Sequence, residues 1–302
     1  MTTSPLLLHV GYHKTATTWL QNSLFQPAHG FHWVLDHAET FDHLVMPHGL
    51  AFDAPAVGDL LAARRGAGGA GHVDVISLEA LVGNPFYGGR ESEAYAARLA
   101  EVAPDARILF TIREQVAMIA SVYMQYLRRG GTLSIARFLA GEEIGGYFGF
   151  DALHFEYDRL VGLYQRLFGV ENVHVLPLET IARDQAAAVA DIAGFAGNTV
   201  IGPWHTQSAR GVSASEATAW ALRRINHVQS GPAHREPIAD LGGLARFAYR
   251  ATERLGRAAK LTGKPVTAEV RRRYGDHFAA SNQRLRDLVG AGTELGRYQG
   301  LG

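Results

Sequence analysis

The 302-residue sequence predicts an α/β protein: a doubly wound, mostly parallel sheet flanked by helices, followed by a helical C-terminal portion. Three observations lead to this class. Short apolar runs at residues 6–10, 31–35, 72–77, 107–112 and 172–177 alternate with longer stretches of helical periodicity, the pattern of strand–helix–strand units. The first run breaks at Gly11 and passes through a turn holding one lysine, Lys14, into a helix that opens on threonines. The most apolar run, 107–112, leads straight into Arg113 and a long helical stretch.

Bulk properties narrow the function classes. Lys and Arg number 29 against 29 Asp and Glu, so no global field favours nucleic acid. The chain has no cysteine, which excludes disulfides, thiolate metal sites and cysteine nucleophiles and fits a reducing cytoplasm. The first five residues lack the basic start of a secretory leader. No run approaches the ~18 apolar residues of a membrane span. The expectation is a single domain over 1–302, with a core at about 6–197 and a helical C-terminal extension at about 214–302.

Taken in order, residues 6–10 form a buried strand, and Trp19, Leu20, Ser23 and Leu24 share one side of the following helix. Residues 31–35 make a second strand, followed by a histidine-rich segment in which His29-x-x-His32 lacks the spacing of a zinc site, so no metal is expected. A helix at 52–65 precedes the third strand, 72–77, whose β-branched alternation ends at Ser77-Leu78-Glu79. Residues 91–102 are helical and stop before Pro104; strand 107–112 and a helix at 114–129 follow. The stretch 151–168 reads as one amphipathic helix ended by Gly169, ahead of the fifth strand. Further helices are expected from after Asp184 to about 197 and at about 214–228, 244–261 and 267–289. In 244–261, Leu244, Phe247, Ala248, Ala251, Leu255 and Ala258 form one face, and Arg246, Arg250, Arg254, Arg257 and Lys260 much of the other. That helix is either a solvated face or a patch for an anionic acceptor or a membrane surface, and Arg271-Arg272-Arg273 follows it.

The first turn carries the chemistry. A helix start leaves backbone N–H groups unpaired and adds partial positive charge, a ready phosphate site. Lys14 contributes a full charge there, and Thr15, Thr17 and Thr18 contribute hydroxyls. The Walker A pattern is not met, because His13 stands where it requires glycine before the lysine. Glu79 lies just past the third strand, where open α/β sheets bind ligands, and is either a functional carboxylate or a helix cap.

His13-Lys14-Thr15-Ala16-Thr17-Thr18-Trp19-Leu20 resembles the 5′-phosphosulfate loop of sulfotransferases, Pro-Lys-Ser/Thr-Gly-Thr-Thr-Trp-Leu, with His13 and Ala16 departing from it. Arg113-x7-Ser121-x-Tyr123, about a hundred residues on, resembles that family's 3′-phosphate segment. Residues 178–197 echo a further family segment, with Leu178 in place of its adenine-contacting tyrosine, and Arg210-Gly211 is a counterpart of its basic glycine loop.

The resemblance implies a sulfotransferase of the small-molecule or carbohydrate type that uses 3′-phosphoadenosine 5′-phosphosulfate (PAPS) as donor and releases adenosine 3′,5′-bisphosphate (PAP). It implies Lys14 as the catalytic cation, with Lys14, Thr15, Ala16, Thr17, Thr18 and Trp19 around the 5′-phosphosulfate and Arg113, Ser121, Arg210 and Gly211 around the 3′-phosphate. Glu79 is expected as the general base, with His13 as the alternative. The acceptor is a hydroxyl on a carbohydrate, a lipid-linked molecule or another small molecule. Two rival classes stay open: an ATP-dependent kinase, although this sequence has no Walker B run ending in Asp, and a non-catalytic nucleotide-binding protein.

Overall fold

The computed structural model describes residues 5–143, 146–206, 215–234, 237–258, 263–290 and 292–301. Five strands form one parallel sheet: β1 (Leu6–His9), β2 (Phe31–Trp33), β3 (Val73–Ser77), β4 (Arg107–Ile112) and β5 (Val173–Pro177), in the order β2-β3-β1-β4-β5. β1 lies centrally, with Leu8 opposite Ile76 of β3 and Ile108 of β4. From β1 the chain goes to β2 at the sheet edge, returns to β3 beside β1, then crosses to the other side for β4. That reversal opens a crevice at the carboxyl end of β1, between β3 and β4, the place where doubly wound sheets bind ligands.

Side-chain alternation explains why both faces are covered. Leu6 and Leu8 enter one apolar core with Ile76, Ile108 and Phe110, while Leu7 enters a second with Val73, Val75, Leu109 and Leu176. The first core also takes in Val266, Val270, Tyr274, Phe278 and Leu285, so the C-terminal helices Pro265–Tyr274 and Ala279–Val289 pack on the same body as β1.

Two expected helices are divided. In 151–168, Ala152–Phe155 is a 3-10 turn and the helix proper is Tyr157–Phe168. Glu156 breaks the run with φ −79° and ψ 79°, and Leu153, placed on the apolar side by periodicity, is 49% exposed. The expected 267–289 helix is interrupted after Tyr274, where Gly275 takes φ −21° and ψ −79°. The basic amphipathic helix is observed as Gly242–Ala258; residues 259–262, including Lys260, lie outside the described residues. No described helix is long and apolar enough to cross a membrane.

Candidate active site

The loop after β1 has an unusual backbone. Lys14 (φ 64°) and Ala16 (φ 68°) are the only non-glycine residues among those described with positive φ. Thr15 between them has the opposite sign, and Thr17–Trp19 begins the helix, which continues as a π-turn over Leu20–Leu24. Such alternation turns successive N–H groups inward, a concavity suited to an anion. Left-handed backbone costs an L-residue of order 1–2 kcal/mol. Tertiary contacts therefore have to hold the loop in place.

Those contacts form a buried polar network below the loop. His9, fully buried at the end of β1, bonds Ser77 Oγ on β3 through Nδ1 at 2.7 Å and Thr111 Oγ1 on β4 through Nε2 at 3.0 Å. Thr111 Oγ1 lies 2.6 Å from Thr15 Oγ1, whose hydroxyl donates to the Tyr12 carbonyl at 2.5 Å. Gln21 Nε2 donates to the Ser77 carbonyl at 3.1 Å, tying the helix to β3. Burial lowers the His9 pKa to about 3, so the ring is a neutral bridge across three strand ends. Gly11 is required above it: a Cβ there would stand 1.9 Å from Thr111 Oγ1 and 2.5 Å from His9 Nε2.

Above the loop lies a cavity of about 210 Å³. Its lining brings together Lys14 from the loop, Arg113 from just past β4, and Ser121 and Arg128 from the helix Gln115–Arg128; Lys264 and Arg271 come from the start and body of the helix Pro265–Tyr274. Two carboxylates also line it, and both are engaged. Glu114 accepts from the amides of Val116 and Ala117. Glu216 accepts from the amide and hydroxyl of Thr267. Among the described residues, Lys14, Arg113, Lys264 and Arg271 have no ion pair, whereas Arg128 lies 3.7 Å from Glu253. The Lys14 pKa is lowered, first by burial, then by Arg128 and Arg113, with Glu79 opposing. Unneutralised cations gathered in a partly buried cavity call for a polyanion.

His13 sits on the other side of Lys14. Its pKa is lowered to about 4, first by burial; the Glu79 carboxylate and the Gly83 backbone act upward, and Arg129 and Lys14 downward. Its imidazole is therefore neutral near pH 7. Glu79 starts the 3-10 turn Glu79–Val82 after β3 and remains half-buried. A second cleft, of about 460 Å³, opens beyond Tyr12 and is lined by Gly88, Gly89, Arg90 and His154 among others. The His154 ring is 5.0 Å from that of Tyr12; its Nε2 is buried without a partner among the described residues, and burial, with a smaller effect of His13, lowers its pKa to about 3.

A solved structure has the same architecture. The chain aligns with a sulfotransferase from Alicyclobacillus acidocaldarius at a TM-score of 0.56 and 20% identity, covering 97% of this chain and 98% of that one. This chain has the sulfotransferase fold. Mouse sulfotransferase SULT7A1 complexed with PAP aligns at a TM-score of 0.43 and 13% identity, over 94% of this chain and 88% of that one. No protein-family model and no curated protein sequence matches the chain.

Within the sulfotransferase fold the expected residues take different places. Lys14, Arg113 and Ser121 line one cavity, and His13 and Glu79 are near neighbours of Lys14. Thr17 Oγ1 is buried with no partner among the described residues, whereas Thr18 is exposed. Thr15 is fully buried and its hydroxyl is spent on the network, leaving only its backbone for a ligand. Trp19 is buried, its ring 5.6 Å from that of Trp204. Arg210 and Gly211 lie outside the described residues. Among the described residues no group of three or more His, Asp or Glu could hold a metal ion. Sequence reasoning missed His9, which reads as one more residue of an apolar strand, and Lys264 and Arg271. The only signal for Arg271 was a three-arginine run, in which Arg272 pairs with Glu269 at 2.5 Å and the Arg273 guanidinium sits 5.9 Å from the Tyr274 ring centroid.

Proposed function

We propose that this protein is a sulfotransferase that takes a sulfuryl group from PAPS to an acceptor hydroxyl and releases PAP. The observation that carries the reading is the convergence of Lys14 with Arg113 and Ser121, which lie about a hundred residues further along the sequence, on one cation-rich cavity at the crossover of the sheet. The cavity suits the donor: Lys14, Arg113, Lys264 and Arg271 have no ion pair among the described residues, and the loop below holds a buried Thr17 hydroxyl with no partner among them. The donor supplies a phosphosulfate bond whose cleavage leaves negative charge on the phosphate oxygen.

Lys14 stabilises that developing charge, which gives it the role a metal ion has in phosphoryl transfer. The loop amides and the hydroxyls of Thr17 and Thr18 hold the 5′-phosphate. Arg113 and Ser121 hold the 3′-phosphate, the guanidinium through paired hydrogen bonds; Arg271 and Lys264 add charge at the cavity wall. Glu79 or the neutral His13 receives the acceptor proton, and both stand beside Lys14. The acceptor, a hydroxyl on a carbohydrate, a lipid-linked or another small molecule, enters by the cleft beside Tyr12 and His154. The whole chain acts as one domain, because its C-terminal helices complete both core and cavity. The absence of cysteine fits work in the cytoplasm.

The test is PAP release from PAPS over a panel of hydroxyl acceptors, in the presence of a chelator. Turnover that falls at least ~100-fold in Lys14→Ala supports the reading. Turnover indifferent to Lys14, or phosphorylation from ATP with Mg²⁺ in place of sulfuryl transfer, overturns it.

A further inference from the structure

The helix Gly242–Ala258 packs on the body through a narrow side. Ala245 is 3% exposed, and Gly256 is buried so closely that a Cβ would stand 2.4 Å from Thr218 Cγ2. At helical spacing from Leu244, residues Phe247, Ala251 and Leu255 form a separate stripe. The sequence pattern alone would bury that stripe. In the structure Leu244 is 68%, Phe247 70% and Leu255 68% exposed. Arg246, Arg250 and Arg254 border it; they are exposed and have no ion pair among the described residues. Phe247, Ala251, Leu255 and the three arginines line one groove. The neighbouring helix Ala219–Asn226 carries Trp220, 65% exposed, with the Arg224 guanidinium 4.8 Å from its ring centroid.

We propose that this face binds an anionic membrane surface, with Leu244, Phe247 and Leu255 entering the headgroup–acyl boundary and Arg246, Arg250 and Arg254 meeting lipid phosphates. Charge complementarity selects this occupant. A basic polar border beside a leucine and phenylalanine stripe is the composition of helices that lie in the plane of a membrane. A second copy of the chain fits less well, because a two-fold contact through the stripe sets the same unpaired arginine row against itself. No described helix can span the bilayer, so the contact is peripheral. The proposal is independent of the donor reading, and its failure leaves that reading untouched.

The test is sedimentation of the full-length protein with vesicles of phosphatidylcholine alone or mixed with phosphatidylglycerol, alongside sedimentation velocity without lipid. The expected result is binding to the mixed vesicles that weakens with salt, and little binding to phosphatidylcholine. Reversing one arginine, as in Arg250→Glu, lowers the partition coefficient at least ~fivefold, the effect of about one basic residue at an anionic surface. Phe247→Ser also lowers it, while Arg272→Ala, on a different helix and paired with Glu269, leaves it unchanged. Equal unfolding midpoints confirm that the exposed substitutions preserve the fold. Three results overturn the proposal: no preference for anionic vesicles, equal binding by Phe247→Ser and the parent, or a dimer without lipid that Phe247→Ser dissociates.

Discussion

The buried histidines predict a measurable sensitivity to acid. His9 bridges β1, β3 and β4 with both ring nitrogens engaged, and burial holds its pKa at about 3. His154 packs beside Tyr12, also at about 3, with burial the larger cause and His13 the smaller. In the unfolded chain both return to about 6.5. At pH 7.5 neither state binds these protons and nothing is lost. Below pH 6.5 the unfolded chain takes them up while the folded chain refuses them until near pH 3, so stability falls as acid is added. At pH 5 each histidine costs about 1.5 pH units at ~1.4 kcal/mol, or roughly 2 kcal/mol, and the pair about 4 kcal/mol. That is a large share of the ~5–15 kcal/mol typical of a domain. Urea unfolding from pH 7.5 to 5.0 measures it. The informative quantity is the slope of stability against pH in His154→Asn and His9→Gln, each compared with the parent. Each substitution removes about one proton from the difference between states, flattening the slope by ~1.4 kcal/mol per pH unit whatever it does to stability at neutral pH. Slopes equal to the parent's in both variants would refute the reasoning.

Other predictions follow from the same geometry. Gly11→Ala pushes a methyl into Thr111 and His9 and should cost about 2–4 kcal/mol, read as a lowered urea midpoint. Ala16→Gly relieves a left-handed alanine (φ 68°) and should raise stability by about 1 kcal/mol, whereas Ala16→Val should lower it. Glu79→Gln should slow turnover at least ~100-fold with PAP binding intact if Glu79 is the base. If His13 is the base, Glu79→Gln keeps most of the rate, and kcat/KM holds from neutrality down towards pH 4, because a base pKa lowered to about 4 stays deprotonated above it. An acid limb near pH 6.5 would count against His13 as the base.

Much of the fold could be read from the residues because the strands are so apolar. Four lie where runs of leucine, valine and isoleucine sit between helical stretches and β2, Phe31–Trp33, where aromatic residues do, each to within a residue or two at each end. The β2-β3-β1-β4-β5 order was not legible, since it depends on which side of β1 each crossover packs. The divided helices at Glu156 and Gly275 were hidden because the apolar period continues across both breaks. For the site, Lys14, Arg113 and Ser121 were found through local pattern, the turn after a strand and the residue at a strand's end. His9 was not, because inside Leu6–His9 a buried polar residue shows no periodic signature and matters only through Ser77 and Thr111, which are 68 and 102 residues away in sequence. Arg271 was missed for a related reason. Successive helix residues point about 100° apart, so one arginine of a run of three lines the cavity while its neighbours pair elsewhere. The exposure of Phe247 reverses what amphipathic spacing suggests, because the body takes the small-residue side of that helix.

The central claim is that the cavity over Lys14 is a bisphosphate nucleotide site. Isothermal titration of PAP in the presence of a chelator, beside ATP with Mg²⁺, tests it most directly on the parent, Arg113→Ala and Arg271→Ala. The account predicts tight metal-free binding of PAP, largely lost in Arg113→Ala and weakened in Arg271→Ala, with adenosine 5′-phosphate much weaker throughout. Binding of ATP with Mg²⁺ but not PAP, or PAP binding indifferent to Arg113, would contradict it.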